Sequence, residues 1–493
     1  MSAWLAVSAL LLLAPPSTEP TEPTASSSST EPTASSSTPL LWPEVLESVE
    51  RAHPTLAAAV ADVDAAAGDL LAAEGIFDPS VSLKAEASTS YYQNATGDAA
   101  IAVLTPAWGT RLEGGYRFGV GDFPTYYGAK KTNDYGEARA QLTTPLLRDG
   151  PTDARRAGIE RLQLEQTQRR EQLRLTRLDL QRAAAQAYWD WVAAGARLDV
   201  ADEVLQLALD RNDQLDRRAR VGDVPTFEVI DNTRLIASRR NRVIAARRAL
   251  ERTALSLAIY LRDDDGRPAP PARTRLPSLS AAVSSSSSSP LSPEDLREAA
   301  LSSRPELRRS RLLLQQLAVD VALADNQMLP ALGVSAGVSQ DFGPTSPPKS
   351  SSSSVWNPSP ETRALPELRV GLGFELPVLL RSARGRQQAA AAATTRARAT
   401  LALQNDRIAL EVDDGVQAVA AAEERLATTA TEVDAAVTVA AGERQRFEAG
   451  DSTLLLVNLR EVAVADAELA AVDAAVDVGR AALALQFVVA ADD

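Results

Sequence analysis

Two spacings of apolar residues alternate along this chain and divide it into similar halves. In SVSLKAEASTSYY, Val81, Leu83, Ala85, Ala87, Thr89 and Tyr91 fall on one face of an extended segment, and Ser82, Lys84, Glu86, Ser88 and Ser90 on the other. Side chains of a strand point to opposite sides with a period of two, so this segment predicts a two-sided strand. The alternation recurs through Leu112, Tyr116, Phe118 and Val120; through Ala138, Ala140 and Leu142; through Leu332, Val334 and Val338; and through Leu368, Val370, Leu372, Phe374 and Leu376. After each set of strands the period changes. Residues 151–221 and 383–449 run without internal proline, with apolar residues at seven-residue spacing such as Leu173, Leu180 and Ala187, the spacing of helices packed as coiled coils. At 1.5 Å per residue they predict helices of about 105 and about 100 Å, far beyond any globular core. Gly222 and Gly450 end these runs. Returning helices over 226–261 and 454–490 span about 55 Å each, and helices over 54–76 and 305–328, ahead of the strands, about 35 Å each.

The halves align. AHPTLAAAVADVDAAAGDLLAAEGIFDPSVSL and SRPELRRSRLLLQQLAVDVALADNQMLPALGV match without a gap, pairing Pro54 with Pro305 and Pro79 with Pro330. TTPLL at 143–147 then pairs with ELPVL at 375–379, and RARVGD at 218–223 with RFEAGD at 446–451. Three matches in one order mark an internal duplication. In each half one proline opens a helix at its first turn and a second closes it.

Composition narrows the class. The formal charge is -14 with no basic cluster in a loop or tail, which argues against nucleic acid, whose phosphates demand a positive face. Cysteine is absent, so disulfides, thiolate metal sites, thiol nucleophiles and a lipidated cysteine are all excluded. MSAWLAVSALLLLAPP has the apolar length of a secretory signal and is too short for a bilayer-spanning anchor, although it lacks a charged start, the first basic residue being Arg51. The Ser/Thr/Pro/Glu stretch behind it buries nothing and predicts no structure. The expected organisation is a signal peptide over 1–16; a disordered linker over 17–41; a first repeat over 42–262, with strands at 79–147 and a helical hairpin at 151–261; a linker over 263–291, either disordered or equatorial; and a second repeat over 292–490, with strands at 331–378 and a hairpin at 383–490.

A soluble sandwich also uses alternating strands. Against it, residues 77–135 hold nearly half of the aromatics, as expected where rings sit at membrane interfaces. PTSPPKSSSSSVWNPSP at 344–360 fits an external loop. A closed membrane barrel needs about eight strands or more. Six alternating segments are present; reading 100–104 and 111–120 as an external hairpin leaves four spanning strands per chain, and three chains then give about 12. The fold class expected is mainly α with membrane β: long helical hairpins plus strands contributed to a trimeric, 12-stranded barrel.

These residues resemble the TolC-like outer-membrane efflux protein family over nearly everything from Trp42 to Ala490. The resemblance rests on HPTL and RPEL at the helix starts, FDPSVSL and MLPALGV at the first strands, TPLL and LPVL at the second strands, and RVGDVPTFEVID and EAGDSTLLLVNL at the glycine turns. It implies a homotrimer with its β-barrel in the lipid of the outer membrane and a helical tunnel crossing the periplasm. A periplasmic adaptor and an inner-membrane pump are implied as partners, in multidrug efflux or type I secretion. It also implies that the working residues lie at the periplasmic tips, where Gly222 and Gly450 turn the helices. Acidic side chains six and nine positions after a tip glycine can constrict the entrance in that family. The first repeat has Glu228 and Asp231 there, whereas the second has Leu456 and Leu459, a departure from the family's best-known acidic ring. Asp223 and Asp451, each following its glycine, are further candidates. Carboxylates crowded round a threefold axis repel one another and attract cations; the alternative is that they only cap free amides at helix starts.

Other features carry less. The arginine-rich face over 155–182, interleaved with Glu160, Glu165, Glu171 and Asp179, reads as a solvated, ion-paired surface, with adaptor docking as the second reading. His53, the single histidine, precedes a helix start and has no partner cluster for a metal. No GxxxxGK[ST] or HExxH spacing occurs, so no enzyme, cofactor or metal is expected. A periplasmic adaptor or coiled-coil scaffold would share the long hairpins, but an adaptor carries one hairpin and this chain has two.

Overall fold

The computed structural model describes residues 38–89, 93–121, 133–222, 224–285, 292–344 and 365–489. Residues 1–38 are a unit apart from 39–493, and of them only Thr38 is described. The expected signal peptide, the linker up to residue 37, the external loop over 345–360 and Asp223 lie outside the described residues.

Helix α1 (Trp42–Ala52) leads to α2 (Pro54–Glu74), and both carry proline in the first turn, where the missing amide hydrogen costs nothing and φ is already helical. His53 caps α2 by accepting from the Thr55 amide at 3.2 Å. Its ring stacks on Tyr260 with centroids 5.9 Å apart, and burial, then the Arg262 charge, hold its pKa below the ordinary histidine value. Four strands follow: β1 (Ser80–Thr89), β2 (Gln93–Leu104), β3 (Arg111–Gly121) and β4 (Gly136–Pro145). Then come α3 (Ala154–Arg220), 67 residues without a break, and α4 (Thr226–Leu257). The short α5 (Leu279–Ser285) and α6 (Pro293–Ser303) lead into the second repeat of α7 (Pro305–Asn326), β5 (Ala331–Phe342), β6 (Glu367–Glu375), α8 (Arg381–Glu448, 68 residues) and α9 (Leu454–Val489).

All six strands pair antiparallel in one sheet, in chain order from β1 to β6. Here the structure corrects the expected count. The segments read as an external hairpin are β2 and β3, paired with each other over residues 94–104 and 111–121, while β2 also pairs with β1 over 93–102 and β3 with β4 over 111–117. A chain supplies six strands to the sheet where four were expected. One face carries Val81, Ile101, Leu112, Leu142, Val338 and Leu368, all solvent-exposed in the single chain. The opposite face carries Lys84, Asp98, Arg117, Arg139 and Arg369, because every strand keeps the period of two in register.

The helices lie side by side in two tiers that share α3 and α8. Near the sheet, α2 packs on α3, α3 on α7 and α7 on α8; farther away, α4 packs on α3, α3 on α9 and α9 on α8. The largest core sits midway along α3, where Tyr188, Trp189 and Trp191 are buried against Leu40, Trp42, Val45, Leu257, Val476 and Phe487. Leu40 belongs to this core, so packing begins before residue 42. The linker around 273–285 also lies here: the Leu40 amide donates to the Arg275 carbonyl at 2.8 Å, and Arg273 reaches Asp199 at 3.2 Å. The matching core of the second repeat is small, built on Ala300, Leu307, Ile408 and Val412.

Where sheet meets helix, Asp153 caps α3. Its Oδ1 accepts from the Arg155 and Arg156 amides at 2.7 and 2.9 Å, and its Oδ2 pairs with Arg156 Nε at 3.0 Å. Burial raises the Asp153 pKa, but the two amide bonds and the Arg156 guanidinium outweigh it and hold the carboxyl below its ordinary value. A depressed folded pKa means that this stabilisation is present above the ordinary carboxylate range and is lost as pH falls through the folded value. Asp153→Ala should cost about 1–2 kcal/mol at neutral pH. Thermal unfolding in detergent should show the gap between variant and parent shrinking below about pH 4; a gap independent of pH would refute the cap's charge.

Candidate functional site

At the end far from the sheet, each long helix stops at the glycine singled out in the sequence. Gly222 and Gly450 have φ of 80° and 85°, a left-handed turn that costs glycine nothing. The Gly450 amide donates to the Phe447 carbonyl at 3.1 Å and the Asp451 amide to the Arg446 carbonyl at 2.8 Å, the paired closure of a Schellman turn. The Gly222 amide donates to the Ala219 carbonyl at 3.1 Å in the same way. The two tips touch: the Arg218 guanidinium lies 5.4 Å from the centroid of the Phe447 ring. Between them runs a groove of 570 Å³ lined by Arg211, Gln214, Leu215, Arg217, Arg218 and Phe447.

The candidate residues stand just beyond these turns. Glu228 is half-buried in the first turn of α4, and its amide donates to the Pro225 carbonyl at 3.1 Å. Asp231, one turn on, is held by Arg234 of its own helix at 2.9 Å. Asp451 is exposed beside Gly450. In α9, Leu456 and Leu459 are exposed while Leu454 and Val457 are buried, so the returning helix shows apolar surface where the first repeat shows carboxylates. Asp223 lies outside the described residues. Among the described residues no group of three or more potential metal ligands occurs.

Sequence reasoning missed the densest charge cluster near the tips. Glu461 of α9 is buried, and three other helices converge on it: Arg211 of α3 on one carboxylate oxygen, Arg239 of α4 on the other at 3.1 Å, and Arg444 of α8 at 3.6 Å. Arg211 also donates to Asn458, and Arg239 to the Val204 carbonyl at 2.6 Å. Burial pulls the Arg239 pKa below its ordinary value, while the hydrogen bond and charge of Glu461 oppose that shift. One carboxylate therefore ties both hairpins together about 16 Å above their turns, taking 1.5 Å per residue for the 11 residues from Gly450. Higher on α9, burial and then the charge of Glu203 raise the pKa of Glu468.

Residues 296–491 match the family model described as outer membrane efflux protein. No curated protein matches the chain. Among solved structures, the outer membrane protein VceC of Vibrio cholerae shares 16% identity with a TM-score of 0.63, over 91% of this chain and 96% of that one. The open state of the MtrE outer membrane channel of Neisseria gonorrhoeae shares 14% identity with a TM-score of 0.61, over 94% and 93%. CusC, described in its folding and transmembrane channel formation, shares 14% with a TM-score of 0.64, over 97% and 99%. The fold is that of the outer-membrane channels. The resemblance read from the residues holds, and the second repeat carries the outer membrane efflux protein domain.

Proposed function

We propose that this chain is one protomer of a homotrimeric outer-membrane channel, passing solutes from an inner-membrane pump across the periplasm and outer membrane, with a periplasmic adaptor completing the assembly. The observation that carries it is a sheet with one exposed apolar face joined directly to helices of 67 and 68 residues. An apolar face over six strands matches lipid, and the opposite charged face a water-filled bore. No helix among the described residues is long and apolar enough to cross a membrane.

The edges support assembly. At one side of the wall, Val60 and Leu71 of α2, Ile244 and Leu255 of α4, and strand β1 are uncovered; at the other, Leu403, Leu410 and Val437 of α8 and strand β6. An unpaired strand edge in hydrocarbon leaves backbone groups unsatisfied, so the two edges must meet, and copies related by rotation join one edge to the other until the ring closes. A periplasmic adaptor or coiled-coil scaffold has no need of such a sheet.

Within this reading the tips are the entrance, and Glu228 and Asp231 narrow it by crowding carboxylates. The test is recovery as an outer-membrane trimer that conducts ions in a planar bilayer; a soluble, non-conducting monomer sinks the reading. Neutralising Glu228→Ala with Asp231→Ala is expected to raise single-channel conductance. Unchanged conductance in that double variant removes both residues from the entrance.

A further inference from the structure

We propose that the trimer closes as an eighteen-stranded barrel, half again as wide as one built from four strands per chain, because the hairpin β2–β3 is part of the wall. The proposal rests on the channel reading above and deepens it. β2 and β3 have 12 and 11 residues, enough to cross a bilayer when tilted, which takes about 9–11. Their apolar side continues that of their neighbours: Val81 lies opposite Ile101, Val103 opposite Leu112, and Leu112 opposite Leu142. A hairpin lying outside the bilayer would have no reason to keep that band in register.

The polar side stitches the hairpin in place. Arg139 of β4 reaches across β3 to Asp98 of β2 at 2.9 Å and to Glu113 of β3 at 3.4 Å. Arg117 of β3 pairs with the fully buried Glu137 of β4 at 2.5 Å. These ions lie on the face opposite the apolar band, where a water-filled bore compensates charge that lipid would not. The turn of the hairpin sits at the helical end of the sheet: Thr110 Oγ1 is 3.1 Å from Thr144 Oγ1, and a Cβ on Gly109 would lie 3.1 Å from Asp153 Oδ2 at the α3 cap. The hairpin therefore covers the same depth as β1 and β4.

Width gives an independent argument. Four helices stand side by side beneath the sheet, α2, α3, α7 and α8; at about 9–10 Å between axes they occupy an arc of about 38 Å. Strands 4.8 Å apart and tilted by about 40° take about 6 Å each round a barrel, so six fill about 38 Å and four only about 25 Å. Six strands match the helical arc they grow from. Three chains of six strands give a barrel about 36 Å across between backbones, against about 24 Å for twelve strands. Closure is antiparallel, since β1 leaves the helices and β6 returns to them.

The chain has no cysteine, so introduced pairs can be read without background. Val81→Cys with Ile101→Cys, and Leu112→Cys with Leu142→Cys, should crosslink within one chain in outer-membrane trimers. Val81→Cys with Leu142→Cys should not, because two strands separate them. Electron cryo-microscopy of the unmodified trimer should count eighteen strands. A trimer of twelve strands, with β1 crosslinked to β4 and the hairpin outside, overturns this proposal and leaves the channel reading standing. A soluble monomer overturns both.

Discussion

Replacing Glu461 by alanine is expected to destabilise the folded protein by about 3–5 kcal/mol, because it strands the Arg211 and Arg239 guanidiniums in a buried site. Both arginines are nearly without solvent, as is Glu461 itself. Water cannot replace the lost carboxylate there, in contrast to the exposed pair of Arg234 with Asp231, whose loss should cost under about 1 kcal/mol. The measurement is thermal unfolding of the purified protein in detergent, with Asp231→Asn as the exposed control. The charge, not the shape, is at issue, so Glu461→Gln should fall near Glu461→Ala. Replacing the three buried members together, Glu461→Leu with Arg211→Met and Arg239→Met, should recover most of the loss, since well-packed apolar groups often serve as well as a buried ion cluster and the half-exposed Arg444 can turn to water. A Glu461→Ala protein within about 1 kcal/mol of the parent would show that the cluster is hydrated and does not tie the hairpins together.

That cluster also marks the limit of what the chain discloses before it folds. Pro54 and Pro305 at helix starts, and Gly222 and Gly450 at helix ends, act through the local backbone, and their places could be read directly. The apolar alternation of Val81 with Leu83, or of Leu368 with Val370, needs only a period of two. The hairpin β2–β3 was harder. Gly97, Gly114, Gly115 and Gly119 interrupt its pattern, and Asp98 looks out of place on a spanning strand until Arg139, two strands away, is seen to meet it. The Glu461 cluster joins residues some 220 to 250 positions apart, beyond any local spacing. One signal was available: in the alignment that pairs Gly222 with Gly450, Arg211 stands against Val439 and Glu461 against Thr233. Opposite charges kept in one repeat and absent from the other, each 11 residues from its tip glycine, stand at the same level once the hairpins lie side by side. The carboxylates Glu228 and Asp231 were singled out by resemblance, and the narrowing proposed for them would depend on neighbouring copies that a single chain does not contain.

Trp189→Ala is the second substitution with a large expected effect, about 3–5 kcal/mol. Trp189 is fully buried midway along α3, edge-on to Tyr188 at 5.7 Å between ring centroids, and its indole Nε1 has no hydrogen-bond partner. Its contribution is therefore packing alone, and its place depends on Gly479 of α9. A Cβ on Gly479 would lie 1.9 Å from the indole Cζ2, so the ring occupies the space that any other residue would need. Gly479→Ala gains about 1 kcal/mol of helix propensity, yet the overlap with a ring that has nowhere to go should turn the net change into a loss of about 1–3 kcal/mol. The two sites share one volume, so their effects should not add. In the double variant the alanine methyl enters the space left by the indole, and the combined loss should fall short of the sum by more than about 0.5 kcal/mol. Thermal unfolding of the four proteins closes this cycle. Strict additivity would mean that α3 and α9 do not meet through this ring. Because the core at Trp189 is where α1, α4, α5 and α9 all close on α3, its loss should loosen the wall at mid-height and leave the tip turns, which rest on their own backbone bonds, intact.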